Sequence, residues 1–257
     1  AEAVAAVAAH PEGWPAWPDL VGGVAGLVAG VVAAPLPAGA EDRRRAALPA
    51  LLERLADLAL EDAAGARWAM ATTDQSVAGL AHGASGIALA LRRGAGVLDG
   101  AARPRLHLVG SDGALAAAER ARRLAAAGLR WEEGLVDAAS GGWPDLRSEA
   151  RPPALAWCHG APGIGIGAAL TARTEPGTRA AALSHARYLR AVRAARWHVP
   201  GDQSFDGTLC HGLAGVVELH LVGAQAWPEA AAEHLRLARG VAAHLVHAGE
   251  GGRAGWT

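Results

Sequence analysis

Four short segments of the chain are almost free of charge, and each of them follows a Gly-x-x-Gly sequence. A segment that is apolar on nearly all sides predicts a buried helix. Because glycine has no Cβ, the chain can turn into such a helix while lying close to neighbouring turns. If every repeat enters its helix in the same way, the turns lie together at one end of the fold, where we expect a functional site. The turns begin at Gly23, Gly83, Gly160 and Gly212.

The segments between the apolar runs carry charge on one face, which is typical of outer amphipathic helices. The first has leucines at helical spacing, namely Leu48, Leu51, Leu52, Leu55 and Leu58. Ala114–Ala127, Thr178–Arg193 and Pro228–Val246 have the same character, and Asp112 and Trp227-Pro228-Glu229 predict the starts of two of them. No long strand-like alternation competes. Alternating buried and amphipathic helices predict an all-α fold with two layers, an α/α barrel or a solenoid.

The composition agrees with one large helical domain. The chain has 257 residues, of which 51% are hydrophobic and only 4% are aromatic. Alanine and glycine supply much of the apolar fraction, and such small side chains suit closely packed helices better than a β-sandwich. All 24 basic residues are arginine, and the formal net charge is -1. Because the basic residues are scattered, a nucleic-acid partner is not expected.

One uncharged stretch, Leu20–Ala40, imitates a membrane span and has Gly22, Gly26 and Gly30 in a small-xxx-small pattern. Two prolines and few large apolar residues favour a buried helix instead. The chain opens without the basic region of a signal peptide, and two cysteines are too few for a secreted disulfide framework. We therefore expect a cytoplasmic protein without a transmembrane segment.

Both cysteines of the chain stand immediately before a His-Gly pair at one of the glycine turns. They are Cys158 and Cys210, followed by His159 and His211. Two thiolates and the imidazole of His211 are three ligands that suit Zn²⁺ and leave a fourth position open, as in catalytic zinc sites. The N-terminus of a helix also favours the thiolate form of a cysteine. We therefore predict that Cys158, Cys210 and His211 bind zinc, and that His159 lines the pocket.

The other two turns carry acid–base candidates. His82 directly precedes Gly83, and Asp19 stands four residues before Gly23. A lone histidine near a turn is more often a packing residue, and a lone aspartate is more often a helix cap. Buried free cysteines are also common in cores that bind no metal. Residue type and spacing alone therefore leave the roles of His82 and Asp19 open.

Taken in order, these motifs resemble the cyclase domain of class II lanthipeptide synthetases, which is related to the stand-alone lanthionine cyclases. The resemblance implies an α/α toroid with Cys158, Cys210 and His211 as zinc ligands. It also implies that His82 and Asp19 take part in proton transfer as catalytic residues. The segments that carry it are 19–26, 80–88, 142–147, 157–165 and 209–212.

The resemblance further implies what the domain acts on and what surrounds it. The implied substrate is a dehydrated ribosomal precursor peptide, in which a cysteine thiolate adds to dehydroalanine or dehydrobutyrine and forms a lanthionine or methyllanthionine thioether. Residues 1–257 would form one cyclase domain, a fragment that lacks an upstream dehydratase domain and the last toroid repeat.

Two other functions remain open at this point. A related zinc protein that binds glutathione or peptides without cyclase activity would use the same ligands. An α/α-barrel glycosidase would need two facing carboxylates. The candidates near the turns form no convincing pair, and they are Asp19, Asp74, Asp202 and Asp206.

Overall fold

The computed structural model describes residues 11–34, 41–70, 75–101, 111–195, 205–250 and 254–255. Within these ranges the chain forms eight α-helices and two pairs of very short strands. The predicted all-α class is therefore confirmed. Packing divides the chain into two compact units, the first made of Ala1–Val77 and His82–Gly134 and the second of Ala78–Ala81 and Leu135–Thr257.

The first unit contains α1 (Val24–Ala33), α2 (Glu41–Asp57), α3 (Ala84–Ala101) and α4 (Ser111–Glu133). Helix α3 packs along α4, and α1 packs against both α2 and α3. A short antiparallel hairpin of β1 (Leu60–Asp62) and β2 (Gly65–Arg67) follows α2, and β2 lies against α4. The buried indole nitrogen of Trp68 donates a hydrogen bond to the carbonyl oxygen of Leu55 at 2.8 Å. This bond ties the chain after the hairpin to the end of α2.

The second unit contains α5 (Ala161–Thr174), α6 (Arg179–Ala194), α7 (Leu213–Ala226) and α8 (Ala231–Glu250). Helix α5 packs along α6, α7 packs along α8, and α5 also packs against α7. The residue pair β3 (Phe205–Asp206) lies parallel to β4 (Ala254–Gly255). Helices α5 and α7, which both follow a Cys-His-Gly sequence, are therefore neighbours.

The helix starts follow the glycine pattern. Helices α1, α3, α5 and α7 each begin at the residue directly after the first glycine of a Gly-x-x-Gly turn. The predicted amphipathic segments coincide with α2, α4, α6 and α8. Thr178 caps α6, because its hydroxyl accepts a hydrogen bond from the amide nitrogen of Ala181 at 3.1 Å. Helix α8 starts later than predicted, at Ala231, because a 3-10 helix occupies Pro228–Ala230.

The leucines of α2 supply much of the core of the first unit. Leu48, Leu51, Leu52 and Leu55 are all buried, as their spacing predicts. Each leucine side chain buried in this way contributes roughly 1.5–3 kcal/mol. Leu58 lies just beyond the end of the helix and is half-buried. The apolar stripe therefore stabilises α2 even though Pro49 lies inside the helix.

The second glycine has a packing role at three of the four turns. A Cβ at Gly26 would lie 2.5 Å from the carbonyl oxygen of Leu20, and one at Gly163 would lie 1.8 Å from that of Trp157. At Gly215 the corresponding distance is 2.8 Å, and Cβ of Trp157 in the neighbouring turn is 3.1 Å away. In each case the carbonyl belongs to the residue six positions earlier. The glycines therefore allow each loop to lie close to its own helix. The sequence had predicted only a close approach between neighbouring turns.

The predicted burial of the glycine-led helices holds for α5 and only in part for α7. Ten residues of α5 are buried, including Ile164 and Ile166. In α7 the buried face includes Leu219 and His220, whereas Leu221 is 42% exposed. Within the part of the chain that the structure describes, α5 and α8 are the helices that pack closely along α7, and they cover one side of it.

The stretch that imitates a membrane span forms α1, which has ten residues and is buried on one side through Val24, Ala25, Val28 and Val31. Residues 35–40 of the stretch lie outside the described ranges. None of the described helices has both the length and the apolar character that crossing a membrane requires.

Two buried histidines face each other in the second unit. Nδ1 of His220 on α7 lies 3.3 Å from Nδ1 of His234 on α8. The hydroxyl of Tyr188 on α6 donates to the carbonyl oxygen of Leu219 at 3.3 Å and lies at the same distance from Nδ1 of His234. Burial, assisted by the nearby His234, lowers the pKa of His220 to about 4. His220 is therefore neutral in the folded chain at neutral pH.

Replacing Gly163 by alanine should destabilise the second unit, because the new methyl group would overlap the carbonyl oxygen of Trp157. We expect the free energy of unfolding, measured by urea denaturation, to fall by about 1–3 kcal/mol. Gly240→Ala on α8 is the matched control, since a Cβ there meets no atom within 4 Å. It should raise the stability by up to about 1 kcal/mol. Equal stability of the two variants would contradict the close packing at Gly163.

His220 should make the folded chain less stable as the pH falls from 6.5 towards 4. Its pKa is depressed from 6.5 to about 4 on folding, so the unfolded chain binds more protons in this window. The stability present above the unfolded pKa is therefore lost on acidification, by on the order of 2 kcal/mol. Urea denaturation at several pH values measures the slope. The slope of stability against pH should flatten in His220→Gln. It should persist in His247→Ala, because His247 is an exposed residue of α8. An unchanged slope in His220→Gln would show that another group is responsible.

Candidate functional site

The ligand atoms of Cys158, Cys210 and His211 come together in the second unit. The two Sγ atoms and one ring nitrogen all lie within 4.8 Å of one another. Nε2 of His211 is 3.4 Å from Sγ of Cys158 and 3.9 Å from Sγ of Cys210. These separations suit ligands that share one ion, since zinc–sulfur and zinc–nitrogen bonds are about 2.3 and 2.1 Å long. The three predicted ligands are therefore arranged so that they could hold one metal ion.

The two turns present their cysteines in equivalent positions. Each cysteine lies three residues before the first residue of its helix, which is Ala161 for Cys158 and Leu213 for Cys210. The amide nitrogen of Cys158 donates a hydrogen bond to the carbonyl oxygen of Cys210 at 3.3 Å. The carbonyl oxygen of Cys158 accepts one from the amide nitrogen of Ala81 at 3.0 Å. The backbone therefore fixes the two thiols relative to each other.

The electrostatics of the cluster favour a cation between the thiols. Cys158 is buried, and burial together with the neighbouring Cys210 raises the pKa of its thiol to about 12. Two neighbouring thiolates, one buried and one half-buried, are costly without a counter-charge. A divalent cation supplies that charge, and its binding would release the thiol protons. Because two sulfurs and an imidazole are soft or borderline donors, the set fits zinc better than it fits magnesium or calcium.

His159, which the sequence placed only in the lining of the pocket, contacts the sulfur of a candidate ligand. Its Nδ1 lies 2.8 Å from Sγ of Cys158. Its Nε2 contacts Nη2 of Arg147 and lies 3.5 Å from Oδ2 of Asp145. Arg147 donates two parallel hydrogen bonds to Asp145, from Nε at 3.0 Å and from Nη2 at 2.9 Å. This pairing holds the pKa of the Asp145 carboxyl at about 2.

The loop that carries Asp145 and Arg147 is tied to the start of α5. Its two ends pair, because the amide nitrogen of Ala154 donates to the carbonyl oxygen of Trp143 at 2.8 Å. The carbonyl oxygen of Ala154 accepts a hydrogen bond at 2.9 Å from Ala161, the first residue of α5. The fully buried side chain of Trp143 anchors the loop. These contacts keep the loop in a fixed position relative to the turn that contains Cys158.

In the first unit, the structure pairs the two acid–base candidates. Oδ2 of Asp19 is 3.2 Å from Nδ1 of His82. Asp19 is buried, whereas the side chain of His82 is 39% exposed. Oδ1 of Asp19 accepts hydrogen bonds from the amide nitrogens of Val21 at 3.0 Å and Gly22 at 2.7 Å, which fixes the carboxylate. Because an ionised carboxylate only accepts, His82 carries a proton on Nδ1, and Nε2 is the nitrogen available for proton transfer.

A buried carboxylate that the sequence analysis did not single out fixes the turn that follows His82. Glu132 on α4 is fully buried. Its oxygens accept hydrogen bonds from Ser85 near the start of α3, at 3.3 Å from the amide nitrogen and 2.6 Å from the hydroxyl. A negative charge at this end of α3 also suits the helix dipole. No local pattern marks Glu132, because its partner lies 47 residues away in the sequence.

The described part of the chain gives the glycosidase hypothesis no support. Of the four aspartates weighed for that function, only Asp19 has a described side chain, and its carboxylate pairs with His82 instead of with a second carboxylate. Asp74, Asp202 and the side chain of Asp206 lie outside the described residues.

Cobalt binding tests the three metal ligands, because thiolate coordination of Co²⁺ produces intense sulfur-to-metal absorption. We expect one Co²⁺ per chain with this absorption in the unaltered protein. Cys158→Ala, Cys210→Ala and His211→Ala should each weaken binding by more than about 100-fold, since each removes a ligand. His247→Ala, at an exposed position on α8, should bind as the unaltered chain does. Undiminished binding by Cys210→Ala would exclude the proposed ligand set.

Comparison with known proteins gives an independent view of the same chain. A family model described as "Lanthionine synthetase C-like protein" matches residues 3–236. The matched range includes both the Asp19–His82 pair and the cluster of two cysteines and His211. No match to a curated protein was found. Because the family model covers most of its length, the chain belongs to the lanthionine synthetase C-like family.

Proposed function

We propose that this chain is a zinc-dependent lanthipeptide cyclase, which closes thioether rings in a dehydrated ribosomal precursor peptide. The observation that carries the proposal is the cluster of Cys158, Cys210 and His211 on equivalent turns before α5 and α7. Membership of the lanthionine synthetase C-like family supports the same chemistry. Cyclase activity would make the chain an enzyme that forms carbon–sulfur bonds.

The number of ligands supports a catalytic role better than a structural one. Structural zinc usually takes four protein ligands, whereas catalytic zinc keeps one position open. Among the described residues, the group of mutually close donors consists of Cys158, Cys210 and His211, and it does not include His159. The open position would then be available to a sulfur of the substrate.

The thiol of the substrate has to be ionised before it can react. Zinc bound at this cluster would stabilise the substrate cysteine as a thiolate, because a metal lowers the pKa of a coordinated thiol below about 8.5. The two protein thiolates donate more electron density than histidines would, which keeps the incoming sulfur nucleophilic. This requirement gives a physical reason for a site rich in cysteine.

Ring closure is a redox-neutral addition. The substrate thiolate forms a bond to the β-carbon of dehydroalanine or dehydrobutyrine, and the π electron pair of the alkene moves onto the α-carbon as an enolate. One proton delivered to the α-carbon then replaces the proton lost from the thiol. We assign this delivery to Nε2 of His82, with Asp19 orienting the ring through Nδ1 and stabilising its protonated form. Support comes from the His82–Asp19 contact at 3.2 Å and the rigid placement of the carboxylate.

The substrate must arrive already dehydrated, because these residues add a thiol and do not eliminate water from serine or threonine. We therefore propose a dehydratase as the source of the peptide, in the form of an upstream domain as the resemblance to class II synthetases implies. The partner of this chain is then a flexible peptide with cysteines and dehydroamino acids.

Cyclisation can be measured on a synthetic peptide with one dehydroalanine and one cysteine. Ring closure removes one site for alkylation by N-ethylmaleimide without changing the mass of the peptide, so mass spectrometry after alkylation counts the open form. The zinc-loaded chain should consume the thiol, and Cys210→Ala should not. His82→Asn should slow the reaction by about 10²–10⁴-fold while still binding cobalt, because it loses proton transfer and not the metal. Asp19→Asn should slow it less, and His247→Ala should not change it.

Two outcomes would contradict this function. Ring closure by Cys210→Ala at an unchanged rate would show that the cysteine cluster is not involved. Binding of glutathione or of the peptide by the zinc-loaded chain, without loss of the free thiol, would favour the binding protein over the cyclase.

A further inference from the structure

The two ring nitrogens of His159 have different partners, so that one nitrogen must accept a hydrogen bond while the other can donate one. Nε2 contacts the guanidinium of Arg147, which has only N–H donors. Nε2 must therefore be the nitrogen that accepts, and the proton of the neutral ring lies on Nδ1. Nδ1 is the nitrogen that lies 2.8 Å from Sγ of Cys158. A doubly protonated ring would place an N–H group of His159 against an N–H group of Arg147.

Asp145 does not reverse this assignment. Its Oδ2 lies 3.5 Å from Nε2 of His159, which is longer than an ordinary hydrogen bond. Both of its oxygens already accept hydrogen bonds from Arg147, at 3.0 and 2.9 Å. The carboxylate therefore holds the plane of the guanidinium, and the guanidinium in turn fixes which nitrogen of the ring carries the proton.

We propose that His159 donates a hydrogen bond from Nδ1 to the sulfur of Cys158 and thereby tunes the metal centre, with Arg147 and Asp145 as positioning residues that fix the tautomer. The inference rests on the proposed function only in that Cys158 is taken as a metal ligand. It gives a role to three residues that the ligand set and the proton-transfer pair do not use.

A donor at the sulfur of Cys158 has two chemical consequences. It withdraws electron density from that thiolate, so Cys158 becomes a weaker nucleophile and is spared from adding to the dehydroamino acid itself. It also disperses the negative charge that accumulates when a substrate thiolate joins two protein thiolates around one ion. The guanidinium of Arg147, which lies behind the ring, acts in the same direction. Donors of this kind typically change metal affinity by about 10–100-fold.

Three substitutions at His159 separate the hydrogen bond from the packing of the side chain. Asparagine places its side-chain nitrogen where histidine has Nδ1, whereas leucine has a similar branched shape and no donor. Glutamine places its nitrogen nearer the position of Nε2. The measurements are the affinity for Co²⁺ and the energy of the sulfur-to-cobalt absorption, with no peptide present.

We expect His159→Leu to bind Co²⁺ about 10–100-fold more weakly, because the negative charge of the thiolates around the ion is no longer dispersed. The absorption should shift to lower energy, because the sulfur regains electron density. His159→Gln should resemble His159→Leu, and His159→Asn should restore both properties to within a few-fold of the unaltered chain. Circular dichroism confirms that each variant is folded. Restoration by asparagine and not by glutamine is a result that a purely structural role would not produce.

The outcomes that overturn the inference are distinct from those that overturn the cyclase. Equal affinity and equal absorption energy in His159→Leu and His159→Asn would show that the hydrogen bond has no effect on the metal. Absence of sulfur-to-cobalt absorption in the unaltered chain would remove the metal site and this inference with it. A chain that binds cobalt and responds to His159 as expected, but closes no ring, would contradict the proposed function alone.

Discussion

The close contact between each loop and the first turn of its own helix is the constraint on which the candidate site depends. At Gly26, Gly163 and Gly215 the loop carbonyl six residues earlier occupies the space that a Cβ would need. Glycine inside a helix costs about 0.5–1 kcal/mol relative to alanine, so its presence at these positions requires a compensating gain. The gain is a loop held against the N-terminal end of the helix, where the dipole favours a thiolate. Cys158 and Cys210 lie on loops of this kind, which is why two residues far apart in sequence reach equivalent positions.

Carboxylates impose the second constraint, because in both units one of them orients another polar group. Asp19 is fixed by two backbone amides and holds His82 through Nδ1. Asp145 is fixed by its paired hydrogen bonds with Arg147, and the guanidinium then orients His159. Each carboxylate, directly or through Arg147, sets the protonation pattern of a histidine.

The sequence predicted the features whose causes are local. The starts of four helices follow from glycine itself, and the cluster of Cys158, Cys210 and His211 follows from a repeated Cys-His-Gly sequence whose donor types suit a metal. Contacts between residues far apart in sequence have no local pattern that could predict them. Glu132 contacts Ser85, which is 47 residues away in the sequence. The loop that brings Asp145 to His159 shows no helical or strand periodicity. The sequence also could not predict that α7 is buried on only one side, because an apolar run does not show which face of its helix a neighbour covers. Helix α8 starts later than predicted because Pro228 can begin a 3-10 helix as well as an α-helix, and here it begins a 3-10 helix.

A histidine directly precedes the first glycine in three of the four turns, and its partners give each one a different chemistry. His82 follows an alanine and is held by Asp19 through Nδ1, which leaves Nε2 for the proposed proton transfer. His211 follows a cysteine and directs Nε2 towards both sulfurs, so the three groups could hold one metal ion. His159 also follows a cysteine, yet its Nε2 is occupied by Arg147 and only Nδ1 faces the sulfur. Position within the repeat therefore does not determine the role of the histidine. For His82 and His159, the group that engages one ring nitrogen determines what the other nitrogen can do, and that group lies outside the histidine's own turn.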